Sequence, residues 1–299
     1  MVRLSEKPKA AKGRPVSRAG ARRRRVARRT VATVPTLFTL GNALCGFASI
    51  FAASRPATPG EENWALTVAA MFIFAGMVFD GLDGMVARLT RSASGLGEQL
   101  DSMADMVTFG VAPAFLAVQL VGVGVPFVPP ETELFDRVAI VIAFIYVACA
   151  ALRLARFNLE LHSQSDHNRF SGLPSPGAAG TVASLALLHE HFLIEEQVPH
   201  WAESGAAGAM VAIMLLAALA MVSNLRYVHV MNRYVRGRAP INTLAKAVIV
   251  GLLLVVQPQE ALAGVFVLYA LSAPVASAAR RLRKAGHGDP GGEETPEAG

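Results

Sequence analysis

The chain has 299 residues, of which 53% are hydrophobic and only 17% are charged. This composition departs from that of an ordinary soluble domain and indicates a membrane protein. Cys45 and Cys149 both stand inside apolar stretches, without Cys-x2-Cys or Cys/His ligand spacing. A disulfide framework and a zinc site are therefore not expected.

The net charge of +6 is concentrated at the start of the chain, where residues 1–31 carry twelve Lys or Arg residues. The Ala, Pro, Gly and Arg content of this segment offers no apolar face. We predict a disordered tail over 1–31, attracted to anionic lipid on the cytoplasmic surface. Nucleic-acid binding is the other interpretation of a basic run, but the apolar segment that follows directly makes it the weaker one, so no nucleic-acid partner is predicted.

Several apolar stretches reach the roughly 20 residues that a helix needs to cross a bilayer. The predicted fold is an all-α, polytopic membrane helix bundle with about eight transmembrane helices. The predicted spans are residues 33–54, 64–88, 98–125, 135–153, 174–193, 205–224, 240–256 and 260–279.

The loops between these spans alternate between acidic and basic. By the positive-inside rule, this alternation places both termini on the cytoplasmic side of the cell membrane. The predicted organisation is the basic tail 1–31, a transmembrane catalytic region 32–280 and a second disordered, cytoplasmic tail 281–299. No internal repeat is visible, which argues against a transporter built from duplicated halves.

Four aspartates lie in or beside the second and third spans. Asp80 and Asp83 are three residues apart, and Asp101 and Asp105 are four apart, so each pair shares one helix face. The linker 89–96 is short enough to make an antiparallel hairpin of the two helices. The two pairs can therefore face each other.

Carboxylates are costly in this position. One charged side chain at mid-membrane costs roughly 2.5 to 3.5 kcal/mol even on a lenient scale, and four crowded together repel unless they are protonated or bind metal. Oxygen-only ligands select Mg²⁺ or Mn²⁺, which commonly bridge carboxylates to substrate phosphates. The pattern predicts a divalent-metal site for a diphosphate substrate. Gly84, Ala87 and Gly97 would leave space for that ligand, although small residues alone are equally typical of helix packing.

The full pattern is Asp-x2-Asp-Gly-x2-Ala-Arg-x8-Gly-x3-Asp-x3-Asp, from Asp80 to Asp105. It resembles the signature of the CDP-alcohol phosphotransferase family at every position. The resemblance implies a core of six transmembrane helices, with the extra spans added at the C-terminal end, and a homodimer. It also implies a site with two metal ions, Mg²⁺ or Mn²⁺, and a general base. The implied metal ligands are Asp80, Asp83, Asp101 and Asp105, the last of which is also the base, and the implied nucleotide and phosphate pocket is formed by Asp80, Gly84, Ala87, Arg88 and Gly97.

Three further stretches resemble the serine-accepting branch of that family. They are residues 100–113, the stretch Arg153-Leu-Ala-Arg-Phe-Asn158, and residues 170–176. The early residues Pro35, Thr39, Asn42 and Gly46 also fit the first helix of that branch. This resemblance implies CDP-diacylglycerol as the donor and L-serine as the acceptor. Membrane lipid is a further expected partner.

A serine acceptor needs a cation for its carboxylate. Arg153, Arg156 and Arg169 lie on the predicted cytoplasmic side and can bind the serine carboxylate or the lipid phosphate. Positive-inside topology alone would also place arginines there, and the sequence does not decide between the two.

Two other functions remain open. The same chemistry can serve another acceptor, such as glycerol 3-phosphate or inositol phosphate, although an anionic acceptor would demand more basic residues. An ion-coupled transporter can use aspartates as a cation relay, but that hypothesis leaves the Gly-x2-Ala-Arg spacing unexplained.

Overall fold

The computed structural model describes residues 18–55, 64–90, 95–121, 134–162, 172–195, 200–225, 227 and 256–286. Within these ranges the secondary structure is entirely helical. The helices are α1 (Arg18–Ala53), α2 (Ala65–Thr90), α3 (Gly95–Asp105), α4 (Ala112–Leu120), α5 (Leu134–His162), α6 (Ser175–Glu195), α7 (His200–Val222) and α8 (Pro258–Gly286). A π-helical segment, Met106–Val111, joins α3 to α4.

Six helical segments of the described chain are long and apolar enough to cross a membrane. They are Thr36–Ala53, Ala65–Leu89, Gly95–Leu120, Leu134–Leu159, Gly205–Val222 and Pro258–Ala279. Each overlaps one predicted span, and the prediction of an all-α, polytopic helix bundle is confirmed. The predicted span 240–256 lies, apart from its last residue, outside the described residues.

Helix α6 corresponds to the predicted span 174–193 but is not among those six. It lies against α2, α4, α7 and α8, and its small side chains are fully buried, including Ala179, Val182 and Ala183. Phe266 of α8 packs directly on Gly180, and the Thr181 hydroxyl donates a hydrogen bond to the Phe266 carbonyl at 3.3 Å. Small residues let helices approach closely, so α6 is covered by protein despite its modest hydropathy.

Both ends of the helical region extend beyond the prediction. Helix α1 begins at Arg18, so residues 18–31 are helical although the predicted disordered tail covers 1–31. Helix α8 continues to Gly286, into the tail predicted from 281. Ala and Arg, which dominate these stretches, are strong helix formers, and each stretch extends an existing helix, which avoids the cost of nucleation. The remainder of both tails lies outside the described residues.

The predicted third span, 98–125, is interrupted immediately after Asp105 by the π-helical segment. Thr108, Phe109 and Gly110 in this segment are buried. The Tyr146 hydroxyl of α5 donates a hydrogen bond to the Phe109 carbonyl at 3.2 Å. A π-turn offsets the helix faces before and after it and is frequent at functional sites. It therefore sets the direction of the aspartate-bearing helix relative to α4.

Two glycines allow α1 and α2 to pack against the π-helical segment. A Cβ atom on Gly46 would lie 2.8 Å from Thr108 Cα, and one on Gly76 would overlap the Thr108 methyl group. Thr108 Oγ1 donates a hydrogen bond to the main-chain carbonyl of Asn42 at 2.8 Å. The three segments are therefore packed too closely to accept any side chain at either glycine.

We expect Gly76→Ala to destabilise the protein by about 1–3 kcal/mol, because the new methyl group overlaps Thr108 in a packed interior. Gly208→Ala in α7 is the matched control, since a Cβ atom at Gly208 meets no atom within 4 Å. Thermal unfolding in detergent measures both variants. A Gly76→Ala protein that melts as high as the Gly208→Ala protein would contradict the close packing of α1, α2 and the π-helical segment.

Candidate metal centre and active site

The structure brings together three of the four aspartates. Carboxylate oxygens of Asp80, Asp101 and Asp105 all lie within 4.8 Å of one another. Asp80 comes from α2, and the other two come from α3. Carboxylates from one face of α3 therefore meet a carboxylate from α2 across the gap between the two helices.

Asp83 lies outside this cluster of three and is buried, at 7% exposure. Its Oδ2 accepts a hydrogen bond from Thr39 Oγ1 of α1 at 3.0 Å. Its carboxyl group also interacts with that of Asp101. Asp83 thus borders the cluster, and its role as a metal ligand stays a prediction.

Asn42 of α1 forms a hydrogen bond with Asp105, the last aspartate of the pattern. Its Nδ2 donates a hydrogen bond to Asp105 Oδ1 at 3.0 Å, and Asn42 is completely buried. The sequence places Thr39 and Asn42 in a stretch that resembles the first helix of the serine-accepting branch, but it predicts no contact partner for either residue. The available signal was two polar residues three apart in an apolar span, which also suits ordinary interhelical packing.

The donor set fits a hard divalent cation. It consists of carboxylate oxygens only, as Mg²⁺ and Mn²⁺ prefer. One of these atoms, Asp101 Oδ1, is buried and has no hydrogen-bond partner within the described residues. A buried unpaired carboxylate oxygen is costly, and a bound cation would satisfy it.

The small residues and the arginine of the pattern lie on the same two helices as the aspartates. A Cβ atom on Gly84 would meet nothing within 4 Å, so there is open space beside α2. Ala87 and Gly97 are half-buried, and Arg88 is exposed in the last turn of α2. A pocket for a diphosphate formed by these residues stays a prediction.

Two of the three predicted acceptor-binding arginines lie at the C-terminal end of α5. Arg153 Nη1 donates a hydrogen bond to Ser175 Oγ at 2.9 Å. Both Nη atoms of Arg156 lie 3.2 Å from Asn224 Oδ1 and donate to it. Both acceptors are neutral oxygens, and these bonds orient the two guanidinium groups. Arg169 lies outside the described residues.

A hydrogen bond between α3 and α5 connects this basic helix end with the aspartates. Asn158 Nδ2 donates to Ser102 Oγ at 2.9 Å. Ser102 directly follows Asp101, and Asn158 is two residues beyond Arg156. The arginine-bearing end of α5 and the aspartate-bearing helix therefore meet at one side of the bundle. This contact between Ser102 and Asn158 is not predicted from the sequence.

Comparison with known proteins identifies the class. The family described as CDP-alcohol phosphatidyltransferase matches residues 32–205, which is more than half of the chain. The chain belongs to this family, whose enzymes are metal-dependent. The resemblance stated from the aspartate pattern is thereby confirmed.

Individual relatives of the chain are named as enzymes that form serine phospholipids. The chain is 34% identical over 193 residues to a CDP-diacylglycerol–serine O-phosphatidyltransferase of Helicobacter pylori, a match covering 64% of this chain and 70% of the relative. It is 35% identical over 161 residues to the protein of the same name from Bacillus subtilis, covering 54% and 79%. It is also 30% identical over 196 residues to an archaetidylserine synthase of Methanothermobacter thermautotrophicus, covering 65% and 69%.

Metal binding tests the carboxylate cluster directly. We expect Asp101→Asn to abolish saturable Mn²⁺ binding, because an amide replaces a negatively charged oxygen donor at the centre of the cluster. Titration calorimetry of the detergent-solubilised protein measures this binding without any substrate. Asp136→Asn is the control, since Asp136 lies in the first turn of α5, about 25 Å along that helix from Arg153. Equal Mn²⁺ affinity in both variants would contradict the site.

Proposed function

We propose that this protein transfers the phosphatidyl group of CDP-diacylglycerol to the hydroxyl group of L-serine, giving phosphatidylserine and CMP. The observation that carries the proposal is the meeting of Asp80, Asp101 and Asp105 within 4.8 Å, in a chain that belongs to a metal-dependent phosphotransferase family. The names of its relatives from bacteria and an archaeon support serine as the acceptor.

The aspartates of α2 and α3 would hold two divalent ions, Mg²⁺ or Mn²⁺. Asp80, Asp101 and Asp105 form the close cluster, and Asp83 adjoins it through Asp101. When bound, such ions neutralise a diphosphate and stabilise the negative charge on the departing nucleotide. The residues Gly84, Ala87, Arg88 and Gly97 would shape the pocket for the nucleotide and its phosphates.

Asp105 is the proposed general base. In the reaction, the serine hydroxyl oxygen forms a bond to the lipid-side phosphorus, and the bond from that phosphorus to the CMP oxygen breaks. The hydroxyl proton passes to the Asp105 carboxylate, and CMP leaves with the bonding electron pair. The Asn42 amide fixes one oxygen of Asp105, which limits the carboxylate to a narrow range of orientations. A positioned base of this kind contributes roughly 10²- to 10⁴-fold to the rate.

Arg153 and Arg156 are the proposed cationic partners of the serine carboxylate or of the lipid phosphate. Their guanidinium groups are held by neutral oxygens of Ser175 and Asn224, and the Ser102–Asn158 bond keeps their helix end beside α3. Arg169 is proposed for the same role from the sequence. Arginine suits both anions, because its fork matches carboxylate and phosphate oxygens.

The membrane setting follows from the same arrangement. The acyl chains of the donor would remain in the bilayer while serine and CMP exchange with the cytoplasm. We place the protein in the cell membrane, with the active site and both termini on the cytoplasmic side, where the basic loops are expected. A homodimer is proposed from the family resemblance.

The reaction itself provides the principal test. Purified protein in detergent with CDP-diacylglycerol and Mn²⁺ or Mg²⁺ should release CMP when L-serine is added, and Asp105→Asn should lose roughly 10²- to 10⁴-fold of the rate. Asp136→Asn should retain it. Release with glycerol 3-phosphate or inositol phosphate in place of serine would overturn the acceptor while preserving the chemistry. No release with any acceptor would favour a transporter.

The arginine assignment has its own test. We expect Arg153→Gln to raise the KM for L-serine by roughly 10- to 100-fold, the equivalent of losing one charge-assisted hydrogen bond. Glutamine retains an N–H group for Ser175 but has no charge. Arg137→Gln, at the opposite end of α5, should leave this KM unchanged. A rise in the KM for CDP-diacylglycerol instead would assign Arg153 to the lipid phosphate, and no rise in either would remove it from the site.

A further inference from the structure

Helix α1 carries none of the signature aspartates, yet two of its side chains reach them. We infer that Thr39 and Asn42 are positioning residues, each of which holds one aspartate of the metal centre in its binding orientation. The inference rests on the proposed function for its link to turnover, and on the carboxylate cluster for its link to metal.

Asn42 is fixed on several sides. Its side chain is completely buried, and its Nδ2 donates a hydrogen bond to Asp105 Oδ1 at 3.0 Å. Its main-chain carbonyl accepts a hydrogen bond from Thr108 Oγ1 at 2.8 Å. A Cβ atom on Gly76 would lie 3.0 Å from Asn42 Oδ1, so α2 closes the remaining side. The amide therefore has little freedom to turn away from Asp105.

Thr39 makes the corresponding contact with the other aspartate helix. It is 4% exposed, and its Oγ1 donates to Asp83 Oδ2 at 3.0 Å. Because Thr39 and Asn42 are three residues apart on a helix, they share one face. That face holds one aspartate from α2 and one from α3. The relative placement of the two aspartate pairs is thus set by a third helix.

The chemistry of the two donors favours metal binding. A lysine or arginine at either position would pair with the carboxylate and compete with a cation for it. The neutral amide and hydroxyl groups each engage one oxygen and leave the negative charge in place. Groups that orient metal ligands in this way commonly contribute 10- to 100-fold in metal affinity or activity.

The other interpretation is that the two hydrogen bonds only join helices. Polar contacts between membrane helices stabilise a bundle by about 0.6 kcal/mol on average. Loss of such a contact would lower the melting temperature slightly and leave the affinity for metal unchanged. Metal affinity therefore separates the two interpretations.

The test compares near-isosteric pairs. Thr39→Val removes the hydroxyl group while Thr39→Ser retains it, and Asn42→Leu removes the amide. Ser49→Ala is the control on α1, since Ser49 is fully buried and its Oγ has no hydrogen-bond partner in the described part of the chain. Mn²⁺ affinity is measured by calorimetry, together with kcat, both KM values and the melting temperature.

We expect Thr39→Val and Asn42→Leu to weaken Mn²⁺ binding by roughly 10- to 100-fold and to lower kcat, with the KM for serine unchanged. Thr39→Ser and Ser49→Ala should bind Mn²⁺ as the unaltered protein does. Wild-type Mn²⁺ affinity in Thr39→Val and Asn42→Leu would overturn the inference, even if their melting temperatures fell. If the unaltered protein released no CMP with serine, the proposed function would fail, whereas the Mn²⁺ measurements would still decide the role of Thr39 and Asn42.

Discussion

The mutual repulsion of three carboxylates, held close together and partly or fully buried, constrains the rest of this structure. Asp80, Asp101 and Asp105 place oxygens within 4.8 Å of one another. At an effective dielectric constant of 20, each pair of unit charges at such a distance costs on the order of 3 kcal/mol. Three pairs approach the entire stability of a typical domain. The cluster therefore persists as anions only if a cation offsets the repulsion and if the surrounding helices resist being pushed apart.

The resistance comes from close packing around the π-helical segment that follows Asp105. Gly46 and Gly76 have no side chains where Thr108 enters between α1 and α2, and Tyr146 holds the segment from the other side through the Phe109 carbonyl. This packing brings α1 near enough for its polar side chains to reach the aspartates. Gly46 and Gly76 look like ordinary packing residues. The close packing that they allow nevertheless determines how near the hydrogen-bond donors Thr39 and Asn42 lie to the aspartate carboxylates.

The sequence predicts that Asp80, Asp101 and Asp105 meet, because helical periodicity aligns the aspartates of each helix and the cost of burying charge demands a function for them. It does not predict that Asp83 lies outside this cluster. It does not predict the π-helical segment, since Met106 to Val111 has the same apolar character as the helix on either side. It does predict α6 as a span, but not that the burial of this helix depends on its neighbours instead of its own hydropathy. The contacts of Asn42 and Thr39 are not predicted for a related reason. A single polar side chain in an apolar helix indicates a contact but does not name the partner, which lies 63 residues away for Asn42.

The remaining requirement is that the basic groups serve the ligands without neutralising the aspartates. Arg153 and Arg156 are oriented by neutral oxygens of Ser175, in α6, and of Asn224, which follows α7. The link between α3 and α5 is likewise neutral, through Ser102 and Asn158. An arginine placed directly in that link would form an ion pair with Asp101 and weaken its hold on metal. Hydroxyl and amide groups thus link the helix that carries Asp101 and Asp105 to the arginine-bearing end of α5, so the two halves of the proposed site lie next to each other.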